Sequence, residues 1–248
     1  MDAGGLFCEY GITFFVMDGP DMPTLDPNQQ RAVDARGQAI LVLAGAGSGK
    51  THTMIERAAA RLDDGLAPDN LLLLTFSRKA CREMAVRLKA RRDGFSKLPT
   101  ILTYHAFGYR LIRDHPAECR RAPNPTLMDQ PDQKKLFAKA FDLAGIDAEA
   151  RKAAGERYDL ARNAGLDPED ERHREAIARH FLAGVDPDDQ TQWILGYAYY
   201  ERLKREANVL DFNDLQVLPT HALRDHPDMR QSVAGDLHEI IVDEAQDT

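Results

Sequence analysis

AILVLAGAGSGKT, residues 39–51, joins a continuous apolar run to a loop of small residues and then to a lysine and a threonine. The run Ala39 to Leu43 has no polar alternation, which predicts a strand buried on both faces. The small residues Gly45, Ala46, Gly47, Ser48 and Gly49 let backbone N–H groups close around phosphate oxygens, where larger side chains would obstruct them. Lys50 supplies charge for β- and γ-phosphates, and Thr51 supplies a hydroxyl for Mg2+. A helix from Lys50 to about Leu62 follows, so the loop lies between a buried strand and a helix, the context phosphate binding needs. Ala44 takes the first glycine position of the phosphate-loop pattern. The alternative is a plain Gly-rich strand-to-helix turn; the context favours nucleotide binding.

Outward from this stretch, Asp26 and Pro27 predict the cap and first position of a helix through about Val33. Asp63-Asp64-Gly65 and Pro68 end the helix after the loop, and Leu71 to Phe76 predicts a second buried strand. Strand, helix and strand joined by short loops make a parallel α/β unit. A helix from Arg78 to about Arg92, a short strand Thr100–Thr103 and a helix from Ala106 to about Asp114 come next. From Pro116 to about Asn208 strands disappear, and helical patterns alternate with breaks such as Asp167-Pro168 and Asp186-Pro187. A helix from Asp211 to about Arg224 and a strand Glu239–Val242 close the chain. That last strand must return to the sheet begun at Ala39, which makes the helical segment an insertion. The expected divisions are a leader 1–24, patternless and disordered, an α/β segment 25–115, an inserted helical subdomain 116–208 and a second α/β segment 209–248. Met17 and Met22 are alternative natural starts.

A length of 248 residues with 43% hydrophobic content fills a soluble globular core. The net charge of −8 excludes a blanket basic surface and leaves a polyanion partner to be met locally. Cys8, Cys81 and Cys119 show no C-x-x-C spacing, so neither a disulfide framework nor a zinc cluster is indicated, and a reducing cytoplasm fits. The apolar run Gly11–Met17 is too short for a bilayer and lacks a positive flank.

At the other end stands HEIIVDEAQDT, residues 238–248. It reads either as a solvated acidic terminus or as a strand delivering Asp243 to Mg2+ and Glu244 to a water that attacks a γ-phosphate. The upstream phosphate loop favours the second.

With both motifs present, the sequence resembles the superfamily-one helicases of the UvrD, Rep and PcrA type. GAGSGKT (45–51) and VDEAQDT (242–248) match their ATP-site sequences, the latter the Walker B motif. Residues 25–33, LDPNQQRAV, resemble the Q motif; residues 75–84, TFSRKACREM, motif Ia; residues 103–107, TYHAF, motif Ib; and residues 209–215, VLDFNDL, the block before motif II. The resemblance covers Leu25 to Thr248. Tyr104 stands where Phe is usual, Asn213 where an acid or other polar residue is common, and Ala245 where many members have Phe.

The resemblance implies a P-loop NTPase (RecA-like) α/β fold with an inserted all-helical 1B subdomain, and a DNA-dependent ATPase and helicase using ATP and Mg2+. It implies that Gln29 reads the adenine edge, that Thr51 and Asp243 place Mg2+, that Glu244 activates water and that Gln246 senses the γ-phosphate. Motifs Ia and Ib line a single-stranded DNA path in the family, which points to Phe76, Arg78, Lys79, Thr103 and His105. The charge of the helix after Phe76 agrees, since Arg78, Lys79, Arg82, Arg87, Lys89, Arg91 and Arg92 outnumber its acids in an acidic protein. An aromatic at a strand end is more often core, and a lone His more often a structural hydrogen-bonder. The series Trp193, Tyr197, Tyr200, Lys204 at helical spacing reads as a packing stripe.

None of the family's later blocks follows Thr248, so a second RecA-like domain with its arginines is expected outside this chain, which reads either as a fragment of a longer protein or as a truncated gene product. Weak binding of Mg·ATP and of single-stranded DNA or a duplex/single-strand junction, with negligible unwinding, is expected. Competing readings are the ATPase module of a helicase-nuclease or defence NTPase, and a non-catalytic DNA-binding remnant.

Overall fold

The computed structural model describes residues 12–17, 24–45, 47–91 and 97–245, with backbone only for 12–17. Two compact units form, residues 1–104 with 233–248, and residues 105–232.

The first unit is α/β. Helix α1 (Pro27–Asp34) starts as expected: the Asp26 carboxylate accepts from the N–H of Asn28 and Gln29, and the Gln29 side chain returns to the Asp26 N–H, a capping box. Strand β2 (Ala39–Ala44) leads through the phosphate loop into α2 (Lys50–Asp63). Strand β3 (Leu71–Thr75) is buried throughout, and α3 (Arg78–Arg91) and β4 (Thr100–Thr103) follow. The last strand, β7, is Glu239–Val242. Ile55, Ala58 and Leu62 of α2, Met84 and Leu88 of α3, Leu71 and Leu73 of β3 and Ile241 of β7 make one apolar core.

All strand pairs are parallel, but the sheet is not the single one expected. Strand β7 pairs with β3, Leu71 opposite Glu239 through Leu74 opposite Val242, and β4 lies on the other side of β3. Strand β2 pairs instead with β1 (Ile12–Met17), so the expectation of a patternless, disordered leader is corrected over those residues. Among the described residues β2 and β7 share no strand ladder. Their link runs through α2, whose Arg57 and Arg61 both pair with Glu239 at the start of β7. The expectation that β2 is buried on both faces also fails, because Leu41 and Leu43 stay exposed.

The second unit is helical: α5 (Gln130–Leu143), α6 (Ala148–Asn163), α7 (Glu171–Phe181) and α8 (Pro187–Glu206), each opened by an aspartate cap. Phe141, Tyr158, Trp193, Tyr197 and Tyr200 fill the core, so the aromatic stripe of α8 packs as expected. Below it Lys204, fully buried, donates to Asp211 at 2.7 Å and Asp214 at 2.9 Å, and Arg162 and Arg121 reach Asp214 as well. Strands are not absent from the segment: β5 (Thr126–Leu127) pairs with β6 (Val209–Leu210). Helix α10 (Pro227–Asp236), which the sequence did not announce, precedes β7.

Helices α4 (Tyr104–Asp114) and α9 (Asp214–Asp225) cross so closely that a Cβ on Gly108 would lie 1.7 Å from the Leu215 carbonyl oxygen. This crossing and the Asp214 ion pairs tie both helices to the helical unit. The expected divisions at 115/116 and 208/209 therefore lie inside the second unit, whose limits are His105 and Ser232. No helix among the described residues is long and apolar enough to cross a membrane.

Candidate functional site

The phosphate loop is shaped by its glycines. Gly47 and Gly49 have φ of +75° and +83°, left-handed values that suit residues without a Cβ. The Ser48 hydroxyl and N–H both return to the Gly45 carbonyl, closing the turn at 2.7 and 3.4 Å. Gly49 caps α2 without a side chain, so the first N–H groups of that helix receive no side-chain cap. Such a helix start favours an anion. Lys50 Nζ lies 3.5 Å from the Ala44 carbonyl, folded back along its own loop. From α1, buried Gln29 donates its Nε2 to the Ser48 carbonyl at 3.0 Å.

The carboxylate end comes from β7. Parallel pairing with β3 sets Asp243 just past the strand, where its N–H donates to the Leu74 carbonyl at 2.8 Å. Its Oδ2 accepts from the buried Thr75 hydroxyl at 3.3 Å, and its carbonyl accepts from the Tyr104 hydroxyl at 2.6 Å. Burial, and then the charge of Glu244, raise the Asp243 carboxyl above the ordinary range, while hydrogen bonds from the Thr75 hydroxyl and the Glu244 N–H and the Lys50 charge pull it down. Lys50 and Asp243, distant in sequence, are thus electrostatic neighbours. Glu244 has φ +51°, an uncommon value for a residue with a Cβ.

Among the described residues no group of three His, Cys, Asp or Glu can hold a metal. The Thr51 hydroxyl and the Asp243 carboxylate are hard oxygen donors, and a Mg2+ ion that keeps waters and takes substrate oxygens needs few such protein ligands. The donor set fits Mg2+ with a bound nucleotide better than a self-sufficient metal cage.

Of the residues expected on the DNA path, Phe76 is 59% exposed just beyond β3, so the core alternative does not apply to it. Arg78 and Lys79 are exposed on the first turn of α3. Further along that helix, Arg87 pairs with Glu83 and Arg91 with Glu56, which reduces the positive face expected from charge alone. Thr103 ends β4. In the helical unit the His105 ring packs at a tilt against the exposed Phe212, ring centroids 4.1 Å apart, and contacts the Gln216 amide at 2.8 Å. Burial lowers the His105 pKa.

Ala46, Gln246 and Arg92 lie outside the described residues. Sequence reasoning gives no site role to Thr75, Tyr104 or Phe212. The available signals are the phenol of Tyr104 in place of the usual Phe and the position of Phe212 within the block 209–215, whereas nothing signals its exposure.

The chain matches the family model described as UvrD/REP helicase N-terminal domain over residues 25–248. It is 31% identical over 230 residues to a probable DNA helicase II homolog of Rickettsia felis, covering 91% of this chain and 34% of that protein. It is 29% identical to the ATP-dependent DNA helicase PcrA of Staphylococcus aureus, covering 90% and 30%, and 26% identical to DNA helicase II of Escherichia coli, covering 92% and 30%. The chain spans about a third of the length of these curated relatives.

Proposed function

Because the chain belongs to the UvrD/Rep helicase N-terminal domain family, we propose that it is the ATP-binding and single-stranded-DNA-binding part of an ATP-dependent DNA helicase. The observation that supports this is that the charge of Lys50, at the start of α2 beside the phosphate loop, reaches the Asp243 carboxyl just past β7, with Glu244 the next residue. Nothing in the fold of a helix-capped sheet requires a phosphate-loop lysine within electrostatic reach of a strand-end carboxylate; binding Mg·triphosphate does.

In this proposal the loop amides of residues 45–51 and Lys50 hold the phosphates, and Gln29 borders the base while bracing the loop. Thr51 and Asp243 hold Mg2+, which supplies charge for the phosphate oxygens. Thr75 orients the Asp243 carboxylate. Glu244 takes a proton from the attacking water, and Gln246 reports the state of the γ-phosphate. Phe76, Arg78, Lys79 and Thr103 contact single-stranded DNA through stacking and phosphate charge, and His105 is a further DNA contact taken by itself. A second RecA-like domain supplies arginines to the site and turns hydrolysis into unwinding; arginines added to related NTPases accelerate hydrolysis by about 10³–10⁵.

The test is ATP hydrolysis with and without single-stranded DNA, in wild type and Glu244→Gln. DNA stimulation in the wild type and a fall of about 10²-fold or more in the variant are expected for loss of a general base. Equal rates in the two would take Glu244 out of the mechanism.

A further inference from the structure

The backbone around the acid pair is held in an unusual way. Glu244 has a left-handed φ of +51° without being glycine, a conformation that persists only where the surroundings impose it. The torsion φ of Glu244 is a rotation away from the plane of the Asp243–Glu244 peptide, so whatever fixes that plane helps fix the glutamate. The Asp243 carbonyl lies in that plane, and the Tyr104 hydroxyl donates to it at 2.6 Å. The preceding N–H of Asp243 is tied to the Leu74 carbonyl at 2.8 Å, and the Asp243 side chain to Thr75 at 3.3 Å. The β3 contacts anchor Asp243 up to its Cα. Beyond it, the phenol of Tyr104, from the first turn of α4, holds the carbonyl side of the peptide, while the Asp243 carboxylate accepts from the Glu244 N–H on the other side.

We propose that Tyr104 is a positioning residue for hydrolysis: its hydroxyl fixes the Asp243–Glu244 peptide and so holds Glu244 in the left-handed conformation from which its carboxylate works. This rests on the reading of Glu244 as the group that takes the proton from water. Tyr104 touches neither nucleotide nor water in this account, so it affects the hydrolytic step and not nucleotide affinity.

The variant Tyr104→Phe keeps the ring and deletes only the hydroxyl. Two measurements test it in the full chain. Residue-resolved amide exchange should quicken about fivefold at Asp243 and Glu244, the factor expected for loss of one neutral hydrogen bond, while Leu72 and Leu73 of β3 and the melting temperature stay unchanged. Single-turnover ATP hydrolysis on single-stranded DNA should slow by a similar factor, with affinity for a Mg·ATP analogue unchanged. The same substitution placed in Glu244→Gln should slow hydrolysis no further. Unchanged exchange at residues 243 and 244, an additive loss in the double variant, or a loss of nucleotide affinity in place of rate would each overturn the proposal. Equal hydrolysis by wild type and Glu244→Gln would instead overturn the reading of Glu244, and the exchange result would still show whether the Tyr104 hydroxyl holds the peptide.

Discussion

The Gln29 side chain spans two elements: its Oε1 accepts from the Asp26 N–H at 2.9 Å, and its Nε2 donates to the Ser48 carbonyl in the phosphate loop at 3.0 Å. The residue expected to face a base is therefore also a brace for the loop that faces the phosphates. Replacing it with alanine leaves a buried carbonyl without its donor. Gln29→Ala is expected to weaken binding of GTP and inorganic tripolyphosphate by about tenfold, the equivalent of about 1.4 kcal/mol, and binding of ATP by at least as much. Isothermal titration separates the two roles: a loss confined to ATP would mean that the brace contributes nothing.

Phe76 and its neighbours make a second expectation. An exposed ring beside Arg78 and Lys79 binds a strand by stacking and by charge, and the two leave different signatures. Phe76→Ala should weaken oligo-dT binding by about 1–3 kcal/mol per stacked base and leave its salt dependence intact. Lys79→Ala should lower the slope of log K against log salt by about 0.7. Fluorescence anisotropy across a salt series distinguishes them, and wild-type binding by both variants would remove this surface from the DNA path.

The buried charges of the helical unit bear on stability. Lys204 is fully buried between Asp211 and Asp214, and burial raises the Asp211 carboxyl despite the lysine beside it. Lys204→Met leaves two buried carboxylates short of a cation and should cost about 3–5 kcal/mol in urea unfolding. A loss under about 1 kcal/mol would show that Arg162 and Arg121 suffice alone.

Much of the fold was legible because its signals are local. The cap at Asp26, the breaks at Gly65 and Pro68 and the apolar run Leu71–Leu74 each announce their element within a few residues. What the sequence concealed depends on distant partners. The two-residue strands at Thr126 and Val209 carry no periodicity and exist only because they pair. Lys204 sits at the end of an aromatic stripe at helical spacing, and nothing local reveals the aspartates that let it be buried. Phe76 resembles a core residue at a strand end until the neighbouring elements are seen to leave it uncovered. In the candidate site the loop and acid pair were readable as motifs, whereas Thr75 and Tyr104 gain their roles only from the pairing of β7 with β3 and the position of α4.

His221 supplies a pH expectation. Its ring contacts the Gly165 carbonyl at 2.7 Å, with the His173 ring 5.9 Å away. Burial lowers its pKa most, the Gly165 hydrogen bond pulls it back up, Arg224 and Arg162 lower it and Asp167 raises it. The folded state then binds its proton less readily than the unfolded chain, whose His titrates near 6.5. Its stabilisation is present above about pH 6.5 and lost as pH falls through the lower folded value. Because Gln can also donate to Gly165, wild type should lose stability relative to His221→Gln between pH 7.5 and 5. A difference that stays constant over that range would contradict the shift.

The central claim is that Lys50 and Asp243 serve one Mg·triphosphate site, and equilibrium binding of a fluorescent ATP analogue tests it most directly. Wild type should bind, more tightly with Mg2+ than with EDTA. Lys50→Ala should bind at least about tenfold more weakly, in keeping with loss of a charge-assisted contact. Asp243→Asn should bind with little dependence on Mg2+. Wild-type affinity in Lys50→Ala, or full Mg2+ dependence in Asp243→Asn, would contradict the account.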